Sequence, residues 1–483
     1  MIRLLVIIIT AFSVAGCTLF QPAVRPDTPI ALPDHYALYT TDDPGPGRWW
    51  EAFGSDSLNR LVEEALTGNF DVRTAWARLQ QAEAVARQAG ADLKPTIDGV
   101  AGADKNWQQT RTDDAGTTHT QTKTFSAGLT AAYELDLWGR LDALRQSEVL
   151  EFEAVREDLD AAAVTVSAAV VGAWIDILSL RRQIDILTEQ IDINQRMLKL
   201  QELRFVNGQA NALDVSQQKE ALAAAKAKLP MLQLDEQVQR NALAILLGRA
   251  DSHNLAVDEA TLPDLIPLPK AGLPVDLLAA RPDIRAAGLR LKAADWQVSA
   301  ARADRLPAIV LSADAAFSSD ALDLLFSNWI TTLAGSITGP IFDGGNRAAE
   351  ADRTRAAADE ALAAYAQIVA EAIGEVEDSL VTETRQTEYI VLLQEQLGAS
   401  QTTLRAAHLQ YMNGQDNYLD YLTAWTSVQD LQRQLVDENA TLIKNRVTLY
   451  RTLGGDWTGT LLGERAPQKT PSTTSSSKSS SNG

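Results

Sequence analysis

Apolar positions along the chain follow two periods. Ile184, Leu187, Ile191, Leu198 and Phe205 are spaced by alternating steps of three and four, with Asn194 and Gln201 filling the remaining seam positions. Ile390, Leu393, Leu397, Leu404 and Tyr411 repeat that register. The segments that follow each stretch continue it, with Leu222, Ala225, Leu229, Leu232, Leu243 and Leu246, and with Val428, Leu431, Leu435, Leu442 and Leu449. Such steps average about 3.5 residues and bring one stripe onto a partner helix. A second stripe, Ile186, Ile193 and Leu200, gives the first helix neighbours on both sides. Read as one helix, Leu141 to Phe205 is about 65 residues and about 100 Å long. Pro230 predicts a kink or a break in the first return helix.

Elsewhere the period is two. Phe125, Ala127, Leu129, Ala131, Tyr133 and Leu135 alternate with Ser126, Gly128, Thr130, Ala132 and Glu134. Ile309, Leu311, Ala313, Ala315 and Phe317 alternate with Val310, Ser312, Asp314 and Ala316. Thr96 to Asp104 and Trp329 to Ile341 follow less cleanly. Strands are therefore expected at about 96–106, 123–137, 308–317 and 328–342, joined by polar loops over Gln108–Gln121 and Ser318–Ser327. Alternation of this length fits transmembrane β-strands, and equally a half-buried soluble sheet. Four strands cannot close a barrel, and an open edge is not tolerated in lipid. The membrane reading thus requires several chains to share one barrel, and three would give twelve strands and twelve long helices.

The chain also repeats itself. A shift of 212 residues aligns Asp71, Ala75, Arg78, Leu79, Ala82, Ala91, Asp92 and Pro95 with Asp283, Ala287, Arg290, Leu291, Ala294, Ala303, Asp304 and Pro307. A shift of 206 aligns Asn207-Gly208-Gln209, Asn211, Leu213 and Asp214 with Asn413-Gly414-Gln415, Asn417, Leu419 and Asp420, and Leu247-Gly248 with Leu453-Gly454. This is a tandem duplication with six extra residues in the first copy. Each copy opens with a helix, about Leu58–Leu93 and Asp276–Leu306, ended by Pro95 or Pro307.

Composition narrows the class. Lys and Arg number 43 against 63 Asp and Glu, a balance of −20, which excludes a basic nucleic-acid surface. Aromatics are 6% and hydrophobic residues 46%, so long Ala-rich helices are favoured over disorder. Cys17 is the single cysteine, so no disulfide framework is possible within one chain. Ahead of it stand Arg3, an apolar run from Leu4 to Val14, and Ala15-Gly16, the layout of a signal peptide. Val14-Ala15-Gly16-Cys17 resembles a bacterial lipobox, with Val for the usual Leu. In that reading Cys17 carries diacylglycerol and a fatty acid such as palmitate, and the mature chain has a balance of −21. Thr18, where an Asp would hold a lipoprotein at the inner membrane, leans towards the outer membrane. No other segment offers about 18 apolar residues in a row, so no helical span is expected.

With these marks in place, the sequence resembles the TolC-like outer membrane factor family, in its lipoprotein branch. Trp49-Trp50-x-x-Phe53, Leu58, Leu61, Ala65 and Asn69-x-Asp71 resemble that branch's entry motif. Leu135-Asp136-Leu137-Trp138-Gly139-Arg140 and Gly339-Pro340-Ile341-Phe342-Asp343-Gly344-Gly345 resemble its strand-to-helix junctions. Tyr411-x-x-Gly414-x-Asp416-Asn417-Tyr418-Leu419 resembles its second periplasmic turn. The resemblance implies a mainly α chain with a small β part, built from two copies of one unit. As a homotrimer it would complete a twelve-stranded outer membrane barrel and a helical tunnel. A periplasmic adaptor and an inner-membrane pump would make it the channel of a tripartite efflux system.

The expected boundaries are a signal peptide at 1–16, an acylated arm at 17–57, repeats at 58–248 and 276–455, a linker at 249–275, and a tail at 456–483, disordered from about 466. Gly208 and Gly414 read as helix-turn glycines, and Asp214 and Asp420 as residues of the next helix's first turn. By resemblance, Tyr411 and Asp214 match positions that hold the periplasmic gate, and Asp420 matches an inward acidic ring. Asp416 stands where some members carry Arg, so a salt bridge to Asp214 is not available here. Walker A and G-x-G-x-x-G motifs are absent, and His35, His119, His253 and His408 lack metal-ligand spacing. No catalytic residue, metal or cofactor is expected, and no nucleic acid. The rival to the channel is a coiled-coil structural or adhesive lipoprotein without a pore.

Overall fold

The computed structural model describes residues 20–25, 30–33, 36, 47–112, 116–255, 257–269, 274–455 and 457. Cys17, the signal segment and the Ser/Thr-rich tail lie outside the described residues. The elements run in two parallel series. The first is α1 (Asp56–Gly68), α2 (Phe70–Ala91), β1 (Thr96–Thr112), β2 (Gly116–Leu135), α3 (Arg140–Val206) and α4 (Ala212–Leu246). The second is α5 (Leu277–Ala280), α6 (Pro282–Ala303), β3 (Ala308–Ser319), β4 (Trp329–Thr338), α7 (Asn346–Met412) and α8 (Tyr418–Leu453). The duplication is therefore structural, and α3 and α7 are each one helix of 67 residues.

Three expectations are corrected. The opening helix of each copy is broken in two, because Asn69 and Arg281 leave helical geometry. The Asn69 side chain caps α2, accepting from the amides of Asp71 (2.8 Å) and Val72 (3.2 Å), while its amide group donates to the Leu246 carbonyl (2.9 Å). Arg281 sits at the equivalent position and donates to the Thr452 carbonyl (3.2 Å), so both breaks tie an opening helix to the end of its own return helix. Second, the Gln108–Gln121 loop is mostly strand, with Gln108 paired to Thr120 and Thr112 to Gly116. Polar residues on both faces hid this extension from the alternation. Third, Pro230 marks no break, because α4 runs on through it. The strand ends also move inward. Asp136 leaves β2 to cap α3, and β4 stops at Thr338 before Gly339-Pro340, where Pro has no amide to donate.

The chain divides into two units. One contains the sheet, most of α2 and α6, and the adjoining parts of α3 and α7. Its sheet has the order β1-β2-β3-β4, antiparallel throughout, so among the described residues β1 and β4 are edges with one neighbour each. The register shows that one apolar face runs across all four strands. Ala131 pairs with Ile97 and Ala313, and Ala313 with Leu333; Tyr133 pairs with Leu311, and Phe317 with Ala127 and Trp329. Directly paired residues share a face, so Ile97, Leu129, Tyr133, Leu135, Ile309, Leu311, Phe317, Leu333 and Ile337 fall on one side of all four strands. The opposite side carries Asp98, Ser126, Thr130, Glu134, Ser312, Asp314, Thr332 and Ser336, with Val100, Val310 and Ile330 among them. The apolar face is open, with Leu333 86% exposed. From Leu135 to Phe125 the strand climbs about 26 Å when tilted by about 40°, the height of an outer membrane apolar band.

The other unit holds the helical hairpins, α1 and the linker. Its core includes Trp49 and Trp50, 2% and 1% exposed. Trp49 stacks on Tyr450 at 5.7 Å, and Trp50 meets Trp457 edge-on at 4.7 Å. One 18-residue stretch of α3 is apolar enough to cross a membrane, and 67% of it is buried, as in a packed core helix.

The linker is a strap pinned at both ends. The Arg181 guanidinium of α3 donates to the Val257 carbonyl (2.8 Å), and Arg446 of α8 donates to the Ile266 carbonyl and to Glu383 (2.5 Å). The Tyr450 hydroxyl donates to the Pro267 carbonyl (3.0 Å). Burial alone would raise the Glu259 carboxyl, but hydrogen bonds from the Ser55 and Ser57 hydroxyls, a backbone amide and the Trp174 indole hold it below the usual carboxylate range.

Candidate functional site

Two places carry the features that function would use: the two-faced sheet and the hairpin tips. At the first tip, α3 ends in a Schellman turn. Gly208 has φ +71°, its amide donates to the Phe205 carbonyl (3.0 Å), and the Gln209 amide donates to the Arg204 carbonyl (2.8 Å). The second tip repeats this, with Gly414 at φ +69°, its amide on Tyr411 (3.1 Å) and the Gln415 amide on Gln410 (2.9 Å). Asn211 and Asn417 then cap the return helices, accepting from the amides of Asp214 (2.9 Å) and Asp420 (3.1 Å).

The two aspartates differ from that point. The Asp214 carboxylate accepts from the Asn211 amide (3.1 Å), closing a capping box. Asp420 makes no such return bond; among the described residues neither its carboxylate nor that of Asp416 is paired, and both are exposed. Tyr411 is buried rather than presented at the surface. Its hydroxyl donates to Gln201 Oε1 (3.1 Å), Arg204 lies over its ring at 4.7 Å, and it stacks on Tyr421 at 6.0 Å. Within one chain, then, Tyr411 and Asp214 have separate partners.

A buried polar ladder behind the tip was only half legible. Asn194 and Gln201, 1% exposed each, are the polar seam positions of α3. Their partners come from three other helices. Gln218 of α4 donates to the Asn194 carbonyl (2.9 Å) and accepts from the Tyr418 hydroxyl. Trp425 of α8 donates to Asn194 Oδ1 (3.2 Å), and Gln190 of α3 donates to the Gln429 carbonyl (3.1 Å). Burial and the neighbouring tyrosines push the Tyr418 hydroxyl upward, so it stays a donor. The sequence signal was a polar residue in an apolar register; its partners required the packing.

The turn glycines serve by conformation. A Cβ at Gly414 would meet nothing within 4 Å, so Gly414→Ala carries only the left-handed penalty of about 1–2 kcal/mol. Gly248, at φ +75°, is pressed against the Gly68 backbone. Gly248→Ala is therefore expected to lower the thermal unfolding midpoint in detergent more than Gly414→Ala does, and equal shifts would contradict the close packing.

The junction Asp343-Gly344-Gly345 is a helix cap. Amides of Arg347 (3.2 Å) and Gly345 (2.9 Å) donate to the Asp343 carboxylate and hold it below its usual range. Asp136 caps α3, accepting from the amides of Leu141 (3.1 Å) and Asp142 (2.8 Å). Among the described residues no group of His, Cys, Asp or Glu could hold a metal.

The model of the outer membrane efflux protein family matches residues 61–249 and 273–455, one match per repeat. The chain belongs to that family. Curated relatives agree along nearly the whole length. The pyoverdine export outer membrane protein OpmQ of Pseudomonas aeruginosa is 31% identical over 439 residues, 89% of this chain and 92% of the relative. The cation efflux system protein CusC of Escherichia coli K12 is 28% identical over 453 residues, 92% and 97% of the two chains. Among solved structures, the outer-membrane channel OprN superposes with a TM-score of 0.84 at 30% identity, covering 92% of this chain and all of that one. A CusC structure gives a TM-score of 0.80 at 28% identity, covering 91% and 100%. This efflux protein is thus an outer membrane channel, with its two-faced sheet in the membrane and its helices on the periplasmic side. The pore-free adhesive alternative has no support among these relatives.

Proposed function

We propose that three copies of the chain join edge to edge, β1 of one beside β4 of the next, into a twelve-stranded barrel that serves as a passive conduit. The observation that carries this is an apolar face shared by four strands whose two edges are open. In hydrocarbon those edges must be paired. Two chains would give eight strands, whose interior side chains fill, whereas twelve leave a water-filled lumen lined by the polar face. The chain performs no catalysis and needs no cofactor. A periplasmic adaptor and an inner-membrane pump supply energy and choose the cargo. Cys17, acylated, adds a lipid anchor in the outer membrane.

The hairpin tips close the conduit from the periplasmic side. Tripling around the axis brings Asp420 and Asp416 together with their copies, and closely spaced carboxylates favour cations. Tyr411 and Asp214 hold the tip shape, the first through Gln201 and the second through its capping box. In planar bilayers the purified protein is expected to conduct with cation preference. Asp214→Ala combined with Asp420→Ala is expected to raise conductance and weaken that preference. An unchanged channel would refute the gate, and a non-conducting oligomer the conduit.

A further inference from the structure

We propose that Lys105 and Lys123 form a binding site for the anionic headgroups of outer-leaflet lipid, flanked by the Trp107 ring. The proposal rests on the apolar sheet face meeting the membrane. Lys105 and Lys123 are direct cross-strand partners in the β1–β2 ladder. They lie on the apolar face, in the row next to Ala103 and Phe125. That row is near the top of the four-stranded region, where Phe125 pairs with Ser319 and Phe317 with Trp329. Aromatic residues at such a margin mark the membrane interface, so the next row out stands at headgroup depth. Both helices attached to this hairpin join its other end, which places the lysines at the leaflet away from the periplasm.

Two like charges directly opposite each other destabilise a strand pair. Acids outnumber bases 63 to 43 in this chain, yet among the described residues no carboxylate pairs with either lysine. Asp104 and its partner Thr124 point to the other face. Lys105 Nζ lies 4.7 Å from the ring centroid of Trp107, whose indole is 71% exposed. A bound phosphate would remove the repulsion, accepting from both ammonium groups, while the Trp107 indole, one row further out beside Gln121, lies against the headgroup. The site continues the lipid-facing band, so the lipid itself is the occupant.

The test is native mass spectrometry of the full-length oligomer in detergent, titrated separately with phosphatidylglycerol and phosphatidylcholine of the same chains. Lys105→Gln with Lys123→Gln is expected to weaken phosphatidylglycerol binding about tenfold and leave phosphatidylcholine unchanged. Lys105→Arg with Lys123→Arg should keep both. Equal phosphatidylglycerol binding by the Gln variant, or equal loss of both lipids, would overturn the site. Loss of oligomer stability with lipid binding intact would also overturn it, pointing to an acid of the adjacent copy as the true partner. Failure of the membrane reading would look different, since the wild-type protein would then retain neither lipid.

Discussion

Leu333→Arg is expected to abolish assembly in the outer membrane, while Thr332→Arg, one residue away, leaves it intact. Leu333 shares its face with Ala313 and Ala131, near mid-height of the apolar band, and is 86% exposed in the single chain. An Arg at the bilayer midplane of a barrel costs about 2–4 kcal/mol, and three chains incur it together. Thr332 pairs with Asp314 on the polar face, where a guanidinium meets water and a carboxylate. Membrane fractionation and heat-modifiable gel mobility read the difference. Normal assembly of the Leu333 variant, or failure of the Thr332 variant alone, would reverse the face assignment.

Arg446→Met should be the most destabilising single change in the helical unit. Its side chain is 8% exposed and that of Glu383 is 7% exposed, and the pair also holds the linker at Ile266. Removing the cation leaves a buried carboxylate without its charge partner, a loss of about 3–5 kcal/mol. Arg446→Met with Glu383→Leu removes both charges and is expected to recover most of that stability, although the contact with the linker is still missing. Thermal unfolding in detergent measures both, and a double variant no better than the single would show that the linker contact dominates.

Much of this architecture was legible because the periods are clean. Steps of three and four located α3, α4, α7 and α8, and the duplicated Asn-Gly-Gln marked both tips. The alternation of β2 and β3 located the sheet, but not whether one face runs continuously across four strands; that depends on register, which relates residues far apart in sequence. The breaks at Asn69 and Arg281 escaped because their reason is a bond to a return helix some 170 residues away. For the tip, the sequence identified Asp214, Tyr411, Asp416 and Asp420. It could not tell that the Asp214 carboxylate is committed to a cap while that of Asp420 is unpaired among the described residues, since both lie six residues beyond a turn glycine. Nor could it supply the partners of Asn194: Gln218, Trp425 and Gln429, whose Oε1 accepts from the Asn194 amide group (3.4 Å).

The central claim is that the open edges of this sheet pair with copies of themselves. Electron cryomicroscopy of the purified protein in lipid nanodiscs tests it most directly. A ring of twelve strands from three chains, with β1 beside β4 of the adjacent copy and the Leu333 face towards lipid, is the predicted result. A sheet closed within one chain, or one whose Asp314 face meets the lipid, would contradict it.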